Sequence, residues 1–238
     1  MSSDTEQEYF SDEITEDAQN DRVSYSNTLN VMKITTAVLS DLDAAVDCLA
    51  AAFAQDPLTG FLLQTGPGYQ DRVKRFFSLL MRARIALKMP VFVARDTAGI
   101  RGAAMGYTTA RPAWPPGITE DWDRFKKATP ALADRIAIYD EIAAKSQPPA
   151  PHYYLGVIGV DPDLHGLGIG TQLLKSFCDL SASDPLSSGV YLETAKPSNV
   201  GFYERAGFTE TGRGSLGSST LWCMYLPHGQ GAMPSRTP

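Results

Sequence analysis

One segment, residues 153–180, constrains the fold most, because it joins a strand, a glycine-rich loop and a helix. Tyr153–Val160 is an apolar run that predicts a buried strand. Apolar residues recur at helical spacing between Leu173 and Leu180. The glycines between them, at 166, 168 and 170, let the backbone approach a ligand closely, and the first N–H groups of the helix point toward an anion. We predict a pyrophosphate-binding loop here.

Two common glycine loops do not fit this segment. A Walker A loop ends in Gly-Lys-Ser/Thr, whereas this one ends in Gly170-Thr171-Gln172 and has no lysine for a phosphate. A Rossmann loop carries GxGxxG in the first βαβ unit, with an acid about 20 residues later. Glu193 lies at roughly that distance, but the glycine spacing differs and the loop comes late in the chain. A plain tight turn between strand and helix is the structural alternative.

The residues V-x-P-x-x-x-G-x-G-x-G, from Val160 to Gly170, resemble the pyrophosphate arm of the GCN5-related N-acetyltransferase (GNAT) superfamily. A second string, N-x-x-F-Y-x-x-x-G-F, runs from Asn199 to Phe208 and is similar to another signature of that superfamily. The two signatures occur in the superfamily's order and at a plausible distance. On these residues the chain is identified as a member of the GNAT superfamily.

A closer resemblance extends over most of residues 31–227 and points to the puromycin N-acetyltransferase-like branch. That branch includes a resistance enzyme for an aminonucleoside antibiotic and many relatives of unknown substrate. The resemblance is strongest in the half that would bind the cofactor, so it implies the reaction and leaves the acceptor open. The segments that carry it are Leu49–Phe53, Tyr153–Val160, Leu192–Thr194, Phe202–Phe208 and Thr220–Met224.

The resemblance implies an α/β fold with a central mixed sheet of about six to seven strands flanked by helices. Two central parallel strands splay apart in that fold and hold acetyl-CoA between them. Here these are the strands at 152–160 and 190–194. The hydrophobic patterning gives the matching element order β-α-α-β-β-α-β-α-β-α-β-β. We expect one catalytic domain at 30–228, a disordered acidic tail at 1–29 and a flexible tail at 229–238.

Acetyl-CoA is the co-substrate that the resemblance implies, with no metal. The glycine-loop N–H groups would hold its pyrophosphate, and the edge of the strand at Ile158–Val160 would pair with its pantetheine amides. His165 departs from the Gln or Arg usual at that point of the motif. The predicted cofactor-binding residues are Ile158, Gly159, Val160, His165, Gly166, Leu167, Gly168, Ile169, Gly170, Thr171, Asn199 and Tyr203.

Two residues are candidates for the proton transfers. Tyr203 is the predicted general acid, because a phenol is protonated at neutral pH and the superfamily commonly places this tyrosine beside the sulfur. The alternative is that it only packs against the pantetheine arm. Glu193 is the predicted general base, and an ordered water is the other candidate for accepting the proton of the amine. Its alternative is a buried carboxylate paired with a backbone group or with Arg205.

The predicted function is transfer of an acetyl group to a primary amine of a small molecule, by direct attack of the amine on the thioester. We expect the acceptor to contact the loop after Pro57, the Arg111–Gly117 segment and the helix at 119–146. Alternatives are a protein or peptide acceptor, or a non-catalytic regulator that binds acyl-CoA.

Composition restricts the partners and the compartment. The first 30 residues carry eight acids against Arg22, so the net charge of −6 resides mainly there and the rest is close to neutral. A neutral core without a basic stripe argues against nucleic-acid binding. Three scattered cysteines and the lack of a long apolar run favour a cytoplasmic protein without membrane attachment, either monomer or homodimer. No histidine or cysteine spacing suggests a metal site.

Overall fold

The structure, a computed structural model, describes residues 32–149 and 151–229. The predicted acidic tail at 1–29 lies outside these residues, as does the predicted C-terminal tail after Gly229. Within the described residues, the strands are β1 (Lys33–Thr36), β2 (Val91–Asp96), β3 (Gly99–Tyr107), β4 (Tyr153–Val160), β5 (Gly189–Thr194), β6 (Thr209–Leu216) and β7 (Ser219–Pro227). The helices are α1 (Leu42–Ala52), α2 (Pro57–Leu63), α3 (Tyr69–Ala86), α4 (Pro116–Ala128), α5 (Leu132–Ser146), α6 (Ile169–Ala182) and α7 (Pro197–Arg205).

All seven strands form one mixed sheet with the order β1-β2-β3-β4-β5-β7-β6. Every neighbouring pair is antiparallel except β4 and β5, which are parallel at the centre of the sheet. Helices cover both faces, so the predicted α/β fold with a mixed sheet of six to seven strands is confirmed. The helix expected at 119–146 is two helices that are separated at Pro130, since α4 ends at Ala128 and α5 begins at Leu132.

Strands β4 and β5 pair over only two positions, Tyr153 with Val190 and Tyr154 with Tyr191. Beyond Tyr154, strand β4 contains a bulge, because Gly106 lies opposite Leu155 and Met105 lies opposite Val157. Gly156 is therefore the extra residue of the bulge. The two strands separate where the bulge begins, and this opens a wedge at their carboxyl ends.

The bulge also reverses which side of the sheet the β4 residues face. Leu155 packs in the core under α6, with Leu173 and Phe177. Val157, two residues later, belongs to the opposite core under α1 and α3, with Leu49 and Phe77. Strict alternation would have placed both residues on one face. The bulge thus allows one strand to contribute to both cores and to the wedge.

Helix α2 was not expected, because the sequence analysis treated the residues after Pro57 as a loop. Asp56 is the N-cap of this helix, and its Oδ1 accepts from the Thr59 backbone N–H at 2.8 Å and from the Thr59 hydroxyl at 2.9 Å. Pro57 occupies the first helical position of α2, where proline is common because its missing N–H costs no hydrogen bond. No helix in the described part of the chain is long and apolar enough to cross a bilayer.

Candidate active site

The glycine-rich loop joins β4 to α6 as the sequence predicted. A 3₁₀ turn at Pro162–Leu164 leads into it, and Gly168 is the residue that precedes α6. Gly166 and Gly168 have φ angles of +83° and +77°, a region that other residues rarely adopt. A Cβ atom added at either glycine would meet no atom within 4 Å. Both glycines therefore border open space, and backbone conformation is the reason they are glycine.

The start of α6 faces that open space. The first N–H groups of a helix have no acceptor within the helix, and the helix dipole places partial positive charge at them. In α6 these are the N–H groups of Ile169, Gly170 and Thr171, while the Gln172 N–H already donates to the Gly168 carbonyl at 3.1 Å. This arrangement suits an anionic group such as a phosphate.

A cavity of about 430 Å³ extends from this loop along the carboxyl end of β4 to α7, the helix that follows β5. Every predicted cofactor-binding residue lines it except Leu167, which packs instead at the edge of the core below α6. Lys196 and Ser198 also line the cavity, although the sequence analysis did not select them. Lys196 adds a positive charge to this cavity, and that charge acts on Asp56, which also lines it.

The wall of the cavity formed by β4 is an open strand edge. Residues Gly159 and Ile158 pair with Ala103 and Ala104 of β3 on one side, but the pairing with β5 ends at Tyr154. An extended ligand with amide groups can hydrogen-bond to such an edge as an added strand would. The cavity therefore combines an anion site at one end with a peptide-like binding edge at the other, which fits the pyrophosphate and the pantetheine arm of an acyl-CoA.

Tyr203 projects from α7 into this cavity. Its ring is 4% exposed and packs between Phe202 and Phe208, with ring centroids 5.2 and 5.7 Å away. Burial raises the pKa of the phenol above its usual value, and the negative charge of Asp56 raises it further. The hydroxyl therefore stays protonated at neutral pH and is available as a hydrogen-bond donor.

Asn199 lies in the first turn of α7 and lines the cavity. Helix α7 begins at Pro197, two residues before Asn199, and Lys196 is its N-cap residue. The Asn199 amide instead donates to the Thr194 hydroxyl at 3.4 Å, which ties α7 to the end of β5. Asn199 is thus placed to contact a ligand but not to cap the helix.

Glu193 does not line the cavity. Its Oε2 accepts from the Tyr139 hydroxyl at 2.8 Å, and that hydroxyl lies 2.8 Å from the hydroxyl of Tyr154. Its Oε1 is buried and has no hydrogen-bond partner among the described residues. Burial raises the pKa of Glu193 to about 7, although the tyrosine hydroxyls oppose this shift. Near neutral pH the carboxyl is therefore present in both protonation states. The hydroxyls of Tyr139 on α5 and Tyr154 on β4 lie beside it.

A second cavity, of about 350 Å³, lies beside the first. It is formed by α2, by the loop that follows it and by the turn between β6 and β7. Gln55 and Asp56 line both cavities. The sequence analysis expected acceptor contacts just after Pro57, and this part of the chain does line the second cavity. The Arg111–Gly117 segment and helices α4 and α5 line neither of the two.

Asp56 is a further residue at this site that the sequence analysis missed. The string Asp56-Pro57-Leu58-Thr59 carries a signal that would have found the helix start, since an acidic N-cap followed by proline is a common beginning. Its position between two cavities depends on tertiary packing and has no local signal. Within the described residues, no group of three or more His, Cys, Asp or Glu side chains is arranged to hold a metal ion.

Three solved structures that are described as acetyltransferases have the same architecture. One from Corynebacterium glutamicum, described as histone acetyltransferase HPA2 and related acetyltransferase, has 24% identity and a TM-score of 0.64, over 86% of this chain and 99% of its own. Polyamine N-acetyltransferase from Drosophila melanogaster has 15% identity and a TM-score of 0.60, over 83% of this chain and 100% of its own. A putative acetyltransferase from Salmonella typhimurium, solved with acetyl-CoA, has 18% identity and a TM-score of 0.52, over 87% of this chain and 100% of its own.

At these identities the three structures show a shared fold and no more. The family assignment comes from the sequence itself. The model of the acetyltransferase (GNAT) family matches residues 89–208, just over half of the 238 residues. That match runs from β2 to the end of α7 and contains the glycine loop, the wedge and Tyr203. The chain belongs to the GNAT acetyltransferase family.

Proposed function

We propose that this protein is an acetyl-CoA-dependent N-acetyltransferase that acetylates a primary amine of a small molecule by direct attack on the thioester. The observation that carries the proposal is the 430 Å³ cavity, which joins the glycine loop, the free edge of β4 and the Tyr203 hydroxyl in one space. We further propose that the protein belongs to the puromycin N-acetyltransferase-like branch, because the five segments given in the sequence analysis resemble that branch.

Each part of the cavity has a role in this proposal. The N–H groups at the start of α6 and the Lys196 ammonium bind the pyrophosphate. The β4 edge at Ile158–Val160 holds the pantetheine amides in line with the wedge, and a backbone N–H near Ile158 polarises the acetyl carbonyl. The thioester then lies beside Tyr203. Acetyl-CoA supplies the activated acetyl group, and the protein supplies its orientation.

Tyr203 stabilises the leaving thiolate. A thiol has a reference pKa of about 8.5, below that of a phenol at about 10, so complete proton transfer from Tyr203 is uphill. Burial raises the pKa of Tyr203 and makes that transfer harder still. The phenol therefore acts mainly by donating a hydrogen bond that strengthens as negative charge develops on sulfur. Such a bond contributes more in a buried site than in water.

The proton acceptor for the amine was predicted to be Glu193 or a water. The structure places the Glu193 carboxyl outside the cavity, with Tyr139 and Tyr154 around it. A role for Glu193 as base therefore requires a relay through these hydroxyls or through ordered water.

The first experiment combines a thermal shift with a turnover assay. Acetyl-CoA at 100 times its dissociation constant is expected to stabilise the protein by about 2.7 kcal/mol, and desulfo-CoA analogues lacking the thioester should do so as well. Thiol release is then measured with puromycin, aminoglycosides, polyamines, aryl and arylalkyl amines and short peptides. Turnover with a small amine is the expected result. Stabilisation without any turnover would support a non-catalytic acyl-CoA-binding protein, and no stabilisation would refute the proposed cofactor site.

Tyr203→Phe tests the role of the phenol. Because only the hydroxyl is lost and the ring packing with Phe202 and Phe208 remains, we expect kcat to fall by about 10- to 100-fold. The dissociation constant for acetyl-CoA should stay within a few-fold of the wild-type value. Steady-state kinetics and titration calorimetry measure the two quantities. An unchanged kcat would leave Tyr203 with packing alone.

A further inference from the structure

We infer that Asp56, which borders both cavities, is the carboxylate that binds the attacking ammonium group of the acceptor and accepts its proton. This inference rests on the proposed function and deepens it, because it assigns the base to Asp56 and limits the class of amine. The argument starts from the position of Asp56 between the two cavities.

Asp56 is shared by two spaces with different character. The first holds the glycine loop and Tyr203, and the second is bordered by Phe61, Tyr69 and Leu216. Both hydrogen bonds from Thr59 end on Oδ1, which leaves lone pairs of Oδ2 for a ligand. An amine held at this carboxylate from the second cavity would stand next to a thioester held in the first.

The electrostatics of the surrounding groups agree with this position. The charge of Asp56 contributes to raising the pKa of Tyr203 on the cofactor side and of Tyr69, to about 12, on the other side, with burial the larger cause in both. Burial raises the pKa of Asp56 itself, against the hydrogen bonds from Thr59 and the charge of Lys196. A carboxylate with a raised pKa is a better proton acceptor than one in water.

The lining of the second cavity indicates the kind of amine. Asp56 is the one acidic residue among its lining residues, and no Lys, Arg or His is among them. A single carboxylate matches one ammonium group, whereas a polyamine would leave further charges without partners. The aromatic and aliphatic residues Phe61, Tyr69 and Leu216 suit an aromatic or alkyl body. The hydroxyl-bearing residues Thr65, Ser218 and Ser219 line the same cavity and suit polar groups on that body. At about 350 Å³ the cavity holds a small molecule and not a folded protein surface. The acceptor class is therefore a small monocationic primary amine with an aromatic or alkyl body that can carry polar groups.

The proton balance of the reaction is complete with these groups. The ammonium nitrogen gives one proton to Asp56 Oδ2, and its freed lone pair forms the C–N bond to the thioester carbonyl carbon. Collapse of the tetrahedral intermediate breaks the C–S bond. The nitrogen then loses its second proton to solvent, and the thiolate, stabilised by the hydrogen bond from Tyr203, takes a proton from solvent. Asp56 releases its proton to solvent. The products are the amide, the free thiol and one proton.

Asp56→Asn tests the inference without removing the helix cap, because asparagine caps helices as well as aspartate does. The probe amine is 2-phenylethylamine, with spermidine and a short peptide as comparison acceptors. For the wild type, we expect kcat/KM to be flat in pH between the pKa of Asp56 and that of the amine. An alkyl amine with a pKa of about 10.4 is neutral in only about one molecule in 2,500 at pH 7. Because Asp56→Asn has no carboxylate to take the proton, its kcat/KM depends on that neutral fraction of the amine.

For Asp56→Asn we therefore expect kcat/KM to be about 100-fold lower at pH 7 and to rise about tenfold per pH unit. Its melting temperature and its dissociation constant for acetyl-CoA should match those of the wild type. Asp134→Asn, an exposed acid in the first turn of α5, is the matched control and should retain the flat profile. Thr65→Trp, which fills the second cavity from its exposed rim, should raise KM for the amine at least tenfold.

Four results would overturn the inference. A flat profile and a normal rate in Asp56→Asn would limit Asp56 to helix capping. Loss of the flat profile in Glu193→Gln, with Asp56→Asn unaffected, would give the base to Glu193. Turnover of spermidine or peptide but not of 2-phenylethylamine would refute the acceptor class while preserving the proposed function. If none of the amines tested leads the wild type to release thiol, the proposed function fails, and this inference fails with it.

Discussion

Gly168→Asp is expected to abolish binding of acetyl-CoA at millimolar concentration. Position 168 precedes the first turn of α6, and a Cβ atom there points into open space at the glycine loop. An aspartate would place a carboxylate next to the bound pyrophosphate. Two like charges about 4 Å apart repel by about 4 kcal/mol at an effective dielectric constant of 20, which corresponds to roughly a 1,000-fold loss of affinity. Titration calorimetry with acetyl-CoA measures the effect.

Gly168→Asn separates the charge from the backbone conformation. Asparagine has nearly the shape of aspartate and tolerates a positive φ better than most residues, so the φ of +77° costs it little. We expect this variant to bind acetyl-CoA with at most about tenfold weaker affinity and to melt at the same temperature as Gly168→Asp. Equal affinities of the two variants would mean that no phosphate lies at this loop, and normal affinity in both would refute the cofactor site.

The glycine loop could be predicted from sequence because its determinants are local. A strand, two glycines with positive φ and the start of an amphipathic helix follow one another within about 20 residues. The ligand-binding groups there are backbone N–H groups, which any sequence that adopts this conformation presents. Tyr203 could also be placed, since the helix that carries it follows β5 directly. The family resemblance added the ligand to this local geometry.

The position of the carboxylates could not be predicted in the same way. Glu193 lies on the strand beside the wedge, as expected, but its side chain turns toward Tyr139 of α5, which is 54 positions earlier in the chain. Asp56 lies at the first cavity because α2 packs against the end of the sheet, and no pattern near residue 56 records that contact. The placement of these two side chains depends on the bulge at Gly156 and on how α2 and α5 pack against the sheet. Hydrophobic periodicity does not encode such long-range contacts.

Gly106→Val is expected to destabilise the protein by at least about 4 kcal/mol, which is a large effect for a single substitution. Gly106 lies on β3 opposite the β4 bulge, where the register changes between Met105 and Gly106. A Cβ atom there would lie 2.0 Å from the Tyr154 carbonyl oxygen and 2.6 Å from the Phe177 ring. Backbone cannot give way by that much without breaking the β3–β4 pairing. Because the β4–β5 wedge opens at this same level, the cofactor cavity should be lost together with stability.

Gly117→Ala is the matched control for that change. Gly117 is exposed in the first turn of α4, and an added Cβ would meet nothing within 4 Å. Alanine there should stabilise the fold by about 0.4–1 kcal/mol, because it restricts the unfolded chain at no steric cost. Urea unfolding followed by circular dichroism measures both variants. A Gly106→Val protein that unfolds at the wild-type urea concentration, or that still binds acetyl-CoA normally, would show that the bulge adapts to a side chain and does not control the opening of the wedge.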